Sequence, residues 1–344
     1  MITVIKDKKN WKEELAIANH FDFYHTYDYH HLSKTDKESP VLLKYTDKGT
    51  SLLLPLLIRP IDNSEYKDAT SVYGYAGILI LTIDDSFQKE NFHKELNSFF
   101  NSEKIISVFS RLHPFLEKEE SILNGLGSIT TLGKVVYVDL TDPIDIQRQK
   151  YNRRLKTYIN KANKTCTVIQ GNPDEHLETF INLYHENMRR VSADESYFFS
   201  NEYYKKIFSD TDLNSELSLC VHNETKEIIA AAIFIKTGNI VQYHLSGLSE
   251  DYMELNPIKL IIDKKRIKAT EEGFELLNLG GGRGSQEDSL FKFKSGFSKS
   301  FKEFKIWKHV VNEDVYRALS EKHLGKEHST TFFPAYRAKQ VVTS

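Results

Sequence analysis

The stretch Leu277-Asn278-Leu279-Gly280-Gly281-Gly282-Arg283-Gly284, followed by Phe293-Lys294-Ser295-Gly296-Phe297, decides the reading of this chain. A short apolar run empties into four glycines within five positions, so a strand is expected to end in a loop whose backbone can approach another molecule closely. Downstream, Phe291 and Phe293 alternate with Lys292 and Lys294. That period of two predicts a strand with one buried face and cations on the other. Together the two segments predict a substrate groove with positive charge beside it.

Upstream, the chain follows one plan twice. Residues 41–45 and 51–59 read as a hairpin turned at Asp47-Lys48-Gly49, and residues 217–221 and 228–236 read as another. Each hairpin leads to an aromatic and glycine segment, Tyr73-Gly74-Tyr75-Ala76-Gly77 and Tyr243-His244-Leu245-Ser246-Gly247. A helix follows in both, over 86–100 and 257–272, and then a short apolar strand, over 105–109 and 275–279. The first of these strands ends at Ser110-Arg111-Leu112-His113-Pro114, the second at the glycine loop. Asn172-Pro173 and Asn256-Pro257 each place a capping residue before a helix-starting proline, and Gly273 supplies a stop. After residue 311 no strong period remains, so the tail from 325 to 344 is expected to be a surface or partly disordered segment.

Composition sets the outer limits. The 344 residues are 40% hydrophobic and 27% charged, with 21 Phe and 18 Tyr, which suits two ordinary globular domains. A net charge of -2 points to no nucleic acid or membrane as a whole, so any polyanion site must come from local clustering. Between positions 146 and 173 there is such a cluster, with no acidic residue. On a helix, Tyr151, Leu155, Tyr158, Ile159 and Ala162 share one face, while Lys150, Arg153, Arg154, Lys161 and Lys164 share the other. Such a stripe is either a solvated surface or a seat for an anion.

Cys166 and Cys220 lack metal-ligand or disulfide spacing and read as buried reduced thiols, and no metal is expected. A charged N-terminus and the short length of the longest apolar run, 228–235, predict a cytoplasmic protein. There is no P-loop, no dinucleotide fingerprint, no Gly-x-Ser-x-Gly elbow and no His-Glu-x-x-His.

In order and spacing, these segments resemble the Fem-type peptidoglycan bridge aminoacyltransferases and their relatives in the GNAT superfamily. The resemblance is carried by Asn152-Arg153-Arg154 with Lys161-Ala162, residues 184–189, Tyr197-Phe198-Phe199, Tyr243-His244-Leu245-Ser246, Leu279-Gly280-Gly281-Gly282 and Phe293-Lys294-Ser295-Gly296-Phe297. Tyr73-Gly74-Tyr75-Ala76-Gly77 and Arg111-Leu112-His113-Pro114 look like the matching segments of a first unit. The resemblance implies an α/β fold of two tandem GNAT-like domains, each a mixed β-sheet flanked by helices, over 1–141 and 142–311 with an extension over 312–344. It implies transfer of an aminoacyl or other acyl group from an activated carrier to an amine of a cell-envelope precursor. The pyrophosphate loop of CoA-dependent GNAT enzymes is not evident, and neither is a coiled-coil arm.

The expected chemistry follows. Acyl transfer to an amine needs a stabilised oxyanion and a proton acceptor. The resemblance assigns charge stabilisation to Lys294, and His244 is the candidate base, although a lone strand histidine serves packing as readily. Arg111 and His113 are candidates to bind a phosphate of a nucleotide or lipid-linked acceptor. Arg153, Arg154 and Lys161 are candidates to bind a donor tRNA or a diphosphate. Tyr75, Tyr197, Gly280, Gly281 and Gly282 complete the expected substrate-binding set. No tightly bound cofactor is expected, only a carrier-linked donor, aminoacyl-tRNA or alternatively acyl-CoA. The expected partners are a small or lipid-linked envelope precursor and tRNA, with no DNA, no transmembrane segment and at most peripheral membrane association. Two other readings stand beside this one: an N-acyltransferase of an amino sugar for surface polysaccharide, fed by acyl-CoA or an acyl carrier protein, and a non-catalytic anion-binding protein.

Overall fold

The structure, a computed structural model, describes residues 1–116, 118–209, 212–325 and 330–339. In chain order its elements begin with β1 (Ile2–Ile5), α1 (Lys8–Ile17), α2 (Tyr27–Ser33), β2 (Ser39–Asp47), β3 (Thr50–Pro60), β4 (Lys67–Thr70) and β5 (Leu79–Thr82). There follow α3 (Lys89–Ser102), β6 (Ile105–Arg111), α4 (Glu119–Leu123), β7 (Ser128–Asp139), α5 (Ile144–Gln149), α6 (Arg153–Thr165), β8 (Cys166–Gln170), α7 (Pro173–Arg190) and α8 (Asn201–Ser209). The chain closes with β9 (Asn214–His222), β10 (Ile228–Thr237), β11 (Ile240–Leu248), α9 (Pro257–Glu271), β12 (Leu276–Gly280), α10 (Ser289–Lys294), β13 (Ser300–Val310) and α11 (Glu313–Leu324).

Two compact units result, one of residues 1–132 with 304–344, the other of residues 133–303. The sequence-drawn boundaries at 141/142 and 311/312 differ from these, because β7 starts in the first unit and ends in the second and β13 does the reverse. Within the first unit the strands run in the order β1-β2-β3-β4-β6-β13, with β5 also on β3. Within the second the order is β7-β12-β11-β10-β9-β8. All neighbours are antiparallel except one pair in each unit, β4 with β6 and β11 with β12. A parallel pair needs a crossover, and the crossovers are α3 and α9, the two helices of the repeated plan. In each unit the strands are thus mixed, antiparallel but for that one pair, and flanked by helices, which is the α/β class expected.

Each unit has its own core. Leu54, Leu56, Phe92, Phe100, Val108 and Trp307 belong to one, and Phe234, Ile261, Leu277, Leu279 and Phe297 to the other. Cys166 and Cys220 are buried and free. A buried polar network holds α5 and α9 to Tyr151, two residues before α6: Tyr151 Oη donates to Asp263 Oδ1 at 2.9 Å, and Arg266 reaches both Asp263 Oδ1 (3.2 Å) and Gln147 Oε1 (2.8 Å).

Two expectations are corrected. Residues 291–294 are not a strand but the end of α10. The Asp288 side chain accepts the Phe291 amide at 3.0 Å as an N-cap, and the i, i+3 spacing of Phe291 and Lys294 buries those two while Lys292 stays exposed. Beyond residue 311, where no strong period is read, the chain is ordered too, and Tyr336 of the expected tail is buried. Asn312 caps α11 by accepting from the Val315 amide at 3.1 Å, and Val315, Tyr316 and Leu319 pack on Ile61, Ile106 and the buried Tyr336. Residues 326–329 and 340–344 of that expected tail lie outside the described residues. Among the described residues no helix is long and apolar enough to cross a membrane.

Gly247, at the end of β11, is required by packing rather than by φ. A Cβ there would lie 2.3 Å from both the Leu183 carbonyl carbon and the Tyr184 amide nitrogen, where the α7 backbone crosses the strand. Backbone on backbone cannot yield, so Gly247→Ala is expected to lower stability by about 1–3 kcal/mol. Urea unfolding checks this; an unchanged midpoint would refute the close approach.

Candidate functional site

In the second unit, β11 and β12 pair over three residues only, Ile240, Val241 and Gln242 with Leu276, Leu277 and Asn278. Beyond that level each strand bulges against its outer neighbour. Opposite β10, Ile233 faces Leu245 and Phe234 faces Tyr243, which leaves His244 as the extra residue. Opposite β7, Asn278 faces Tyr137 and Gly280 faces Val136, which leaves Leu279 extra. A bulge bends its strand, and bulges on the outer sides of both strands part them. The result is a wedge between two strands whose backbone amides and carbonyls have lost their ladder partners on the inner side.

The β12 lip satisfies its orphaned groups from side chains. Asn278 Oδ1 accepts the Gly280 amide at 2.9 Å, and Lys294 Nζ donates to the Gly281 carbonyl at 2.7 Å. The glycines make this geometry possible. Gly280 has φ +76°, a Cβ on Gly281 would lie 2.8 Å from the Lys134 carbonyl, and one on Gly282 would lie 2.0 Å from the Gln286 carbonyl. Gly280, Gly281, Gly282 and Lys294 are thus brought together, as the sequence expected, though from a helix rather than a strand.

Lys294 is 8% exposed and has no carboxylate partner among the described residues. Burial pushes its ammonium from the usual 10.5 down to about 8, with Asp288 acting the other way. His244 stands on the β11 lip, where its Nε2 is 2.9 Å from Tyr203 Oη, and burial pushes its imidazole down to about 4. It is therefore neutral at physiological pH. Tyr203 was not singled out in the sequence; its only signal there is its place among the aromatics of residues 197–204.

The basic helix joins this region. The Asn152 amide donates to the Gly296 carbonyl at 3.0 Å, the Asn152 side chain caps α6 by accepting from the Leu155 amide at 2.7 Å, and Tyr151 packs edge-on against Phe297 at 5.4 Å. Arg154 donates to Tyr158 Oη at 2.6 Å. Lys259, at the start of α9, lies 4.4 Å from the Tyr158 ring and 6.0 Å from the Phe293 ring, and burial with the Arg154 charge lowers its pKa. Sequence reasoning missed Lys259, whose signal was only its place two residues after Pro257. Arg153 and Lys161 are exposed on α6. Tyr197 is also exposed, and its carbonyl accepts from Tyr184 Oη at 3.0 Å.

Tyr75, Arg111 and His113 belong to the first unit. There the buried Glu119 carboxylate accepts the Ile78 amide and the His113 amide, each at 2.7 Å, and so staples the Tyr73–Gly77 loop to the turn after β6. Gly77 leaves room for it, since a Cβ would fall 1.8 Å from Glu119 Oε1. His113 is buried, with its Nε2 3.0 Å from Asp22 Oδ2, so it holds the turn from inside and is not placed to touch a substrate. That corrects the expectation for His113. Tyr75 is half-buried between Tyr24 (5.8 Å) and Phe304 (5.1 Å), and burial raises its hydroxyl to about 12. Arg111 is half-exposed, its guanidinium 5.3 Å from the Tyr73 ring.

Removing the Glu119 staple leaves two buried amides without an acceptor, so Glu119→Ala is expected to cost about 2–4 kcal/mol. Burial raises the Glu119 pKa well above the ordinary 4.5. The folded state therefore holds the proton more tightly, and wild-type stability should fall as pH rises above 4.5 through the raised value. Thermal melts across pH check both statements; a wild-type slope equal to that of Glu119→Ala would refute the second.

Comparison with known proteins now adds its findings. Residues 213–305, from β9 into β13, match the model of the FemAB family. No curated protein matches the chain in sequence. Among solved structures, FemX superposes with a TM-score of 0.70 at 14% identity, over 92% of this chain and 99% of FemX. The C-terminal domain of a putative lysylphosphatidylglycerol synthetase from Agrobacterium fabrum gives 0.55 at 12% identity, over 89% of this chain and 93% of that domain. A tandem GNAT protein from the clavulanic acid biosynthesis pathway gives 0.50 at 8% identity, over 91% of this chain and 99% of that one. Residues 213–305 are thus similar in sequence to the FemAB family, and over most of its length the chain shares the fold of FemX and of a tandem GNAT protein.

Proposed function

We propose that this protein transfers an acyl group, with an aminoacyl group on tRNA as the leading donor, to an amine of a cell-envelope precursor. The observation that carries the proposal is the wedge between β11 and β12 with a buried lysine at its glycine lip. An extended acyl carrier can enter such a wedge and use strand-edge amides and carbonyls, as an added strand does. The FemAB match supports the reaction class, and the fold shared with FemX and with the synthetase domain agrees with it.

In this reading the acceptor amine attacks the carbonyl carbon of the donor ester. The C–N bond forms as the carbonyl oxygen takes negative charge; the C–O bond then breaks, and the amine proton goes to the departing ribose hydroxyl. Lys294 has three N–H donors, one of which goes to the Gly281 carbonyl. The others serve the oxyanion. His244, neutral at physiological pH, is the candidate acceptor for the amine proton on its way. Arg153, Arg154 and Lys161, with Lys259, seat the phosphates of the carrier; among the described residues no carboxylate pairs with any of them. A cytoplasmic site of action and an envelope acceptor belong to the same reading.

The deciding experiment supplies charged tRNAs and, separately, acyl-CoA, and follows label into amine-bearing envelope precursors with an RNase control. RNase-sensitive product is expected. Product from acyl-CoA alone would overturn the tRNA donor in favour of an amino-sugar N-acyltransferase, and none from either would favour a carrier-protein donor or a binding role.

Lys294 gives a second test. Loss of a single oxyanion donor costs about 100- to 1,000-fold in rate, and Lys294→Met should show that loss. Because the cation is the working form, wild-type turnover should fall as pH rises through about 8. A rate that rises there would assign Lys294 as a base instead. Stability runs the other way. The unfolded lysine keeps its proton up to 10.5, so burial of the charge costs stability below about 8 and the cost is relieved as pH rises. Lys294→Met is thus expected to lose activity while its melting temperature at neutral pH is unchanged or higher.

A further inference from the structure

We propose that Asn278 is a second oxyanion donor beside Lys294, its side-chain amide binding the carbonyl oxygen of the acyl group under transfer; this rests on the acyl-transfer reading of the wedge. Asn278 is 1% exposed and stands in the last pair that β12 makes with β11 before the two strands part. The Gly280 amide can be taken only by an oxygen. Its 2.9 Å bond to Oδ1 therefore fixes how the carboxamide lies and leaves Nδ2 with its N–H groups to place. Among the described residues nothing accepts them. Gln242 on β11 and Tyr137 on β7 stand directly across from Asn278 in the two ladders, yet neither takes Nδ2.

A buried donor without an acceptor costs about 1–3 kcal/mol, and the local backbone does not require this one. Holding the Gly280 amide needs only an acceptor oxygen two residues back, which Asp or Ser supplies as Asn does. What asparagine adds is the donor. A native fold that keeps such a group at a strand end, where the neighbouring strand has just turned away, keeps it for a ligand oxygen.

Lys294 defines where that oxygen lies. A Cβ on Gly280 would fall 3.3 Å from Lys294 Nζ, so the ammonium stands over the same residue whose amide Asn278 holds. Its bond to the Gly281 carbonyl keeps it there. One oxygen above Gly280 then takes an N–H from each side chain. As the acceptor amine forms its C–N bond, the carbonyl π pair moves onto this oxygen; as the C–O bond to the leaving group breaks, the pair returns, and Asn278 keeps its protons throughout. The two donors differ in kind. Lys294 supplies charge, and only below about 8, whereas a carboxamide does not titrate and offers the same N–H at every pH.

Asn278→Asp and Asn278→Ser test the proposal in the full chain. Both keep an acceptor for the Gly280 amide, and both lose the Nδ2 donor. With charged tRNAs or acyl-CoA supplied, each should lower kcat about 100- to 1,000-fold with KM little changed, as expected of a contact made in the transition state. Asn278→Asp also sets a carboxylate beside the ammonium. The Lys294 titration, followed by NMR on isotope-labelled lysines and assigned with Lys294→Met, should then move from about 8 towards the usual 10.5, and should stay in Asn278→Ser. This second readout needs no substrate. An unmoved titration in folded Asn278→Asp, or a wild-type rate in Asn278→Ser, would overturn the proposal and leave the transfer reading standing. A wild type that turns over no donor, with the titration moved in Asn278→Asp, would overturn the transfer reading and still support the convergence of Asn278 and Lys294 on one oxygen.

Discussion

The parting of β11 from β12 is the constraint on which the local geometry of the second unit depends. Parallel strands gain by continuing their ladder, and here the ladder stops after three residues, at the cost of backbone groups that need other partners. The fold meets that cost locally. Asn278 takes the Gly280 amide and Lys294 takes the Gly281 carbonyl, so the side chains that repair the strand end are also those that face the wedge. Two bulges at matching height keep the strands apart, and one of them re-aims His244. Closing the wedge would require removing residues from two strands at once.

Lys294 carries an electrostatic tension that follows from this geometry. A buried ammonium is disfavoured unless paired with a carboxylate, yet its direct partner is a neutral carbonyl, and Asp288 only moderates the penalty. Such a group contributes little to stability. The glycines serve the same end, since Gly281 and Gly282 allow backbone to lie where any side chain would collide.

The first unit solves a different problem with similar means. Its loop after β4 carries Tyr73 and Tyr75 and its strand β6 ends on Arg111, and irregular backbone needs internal acceptors if it is to be rigid. Glu119 supplies two, and the Asp22 and His113 pair locks the turn from below. The C-terminal segment, tied down through Asp68 and Ser107, adds an aromatic wall to the same sheet face.

Much of this was legible in the sequence. The repeated plan of hairpin, crossover helix and strand could be read because apolar periodicity and capping signals are local, and the capped start of α9 and the glycine loop lay where they were expected. That the glycines and Lys294 lie side by side was legible, because both segments stand at the end of one apolar strand. What failed was also local in origin. Period two around Lys294 described a strand as well as it described one helical turn, and only Asp288 distinguished them. α11 packs only one strip of partly buried side chains, too little for a clear period. By itself, then, the chain determined most of its strands, its crossovers and which residues gather at their ends. Only the tertiary structure decided that His113 turns inward, that Lys259 joins Arg154, and that a tail residue, Phe333, lies over Phe109. Those outcomes depend on which distant segments share a desolvated space, and no sequence period records that.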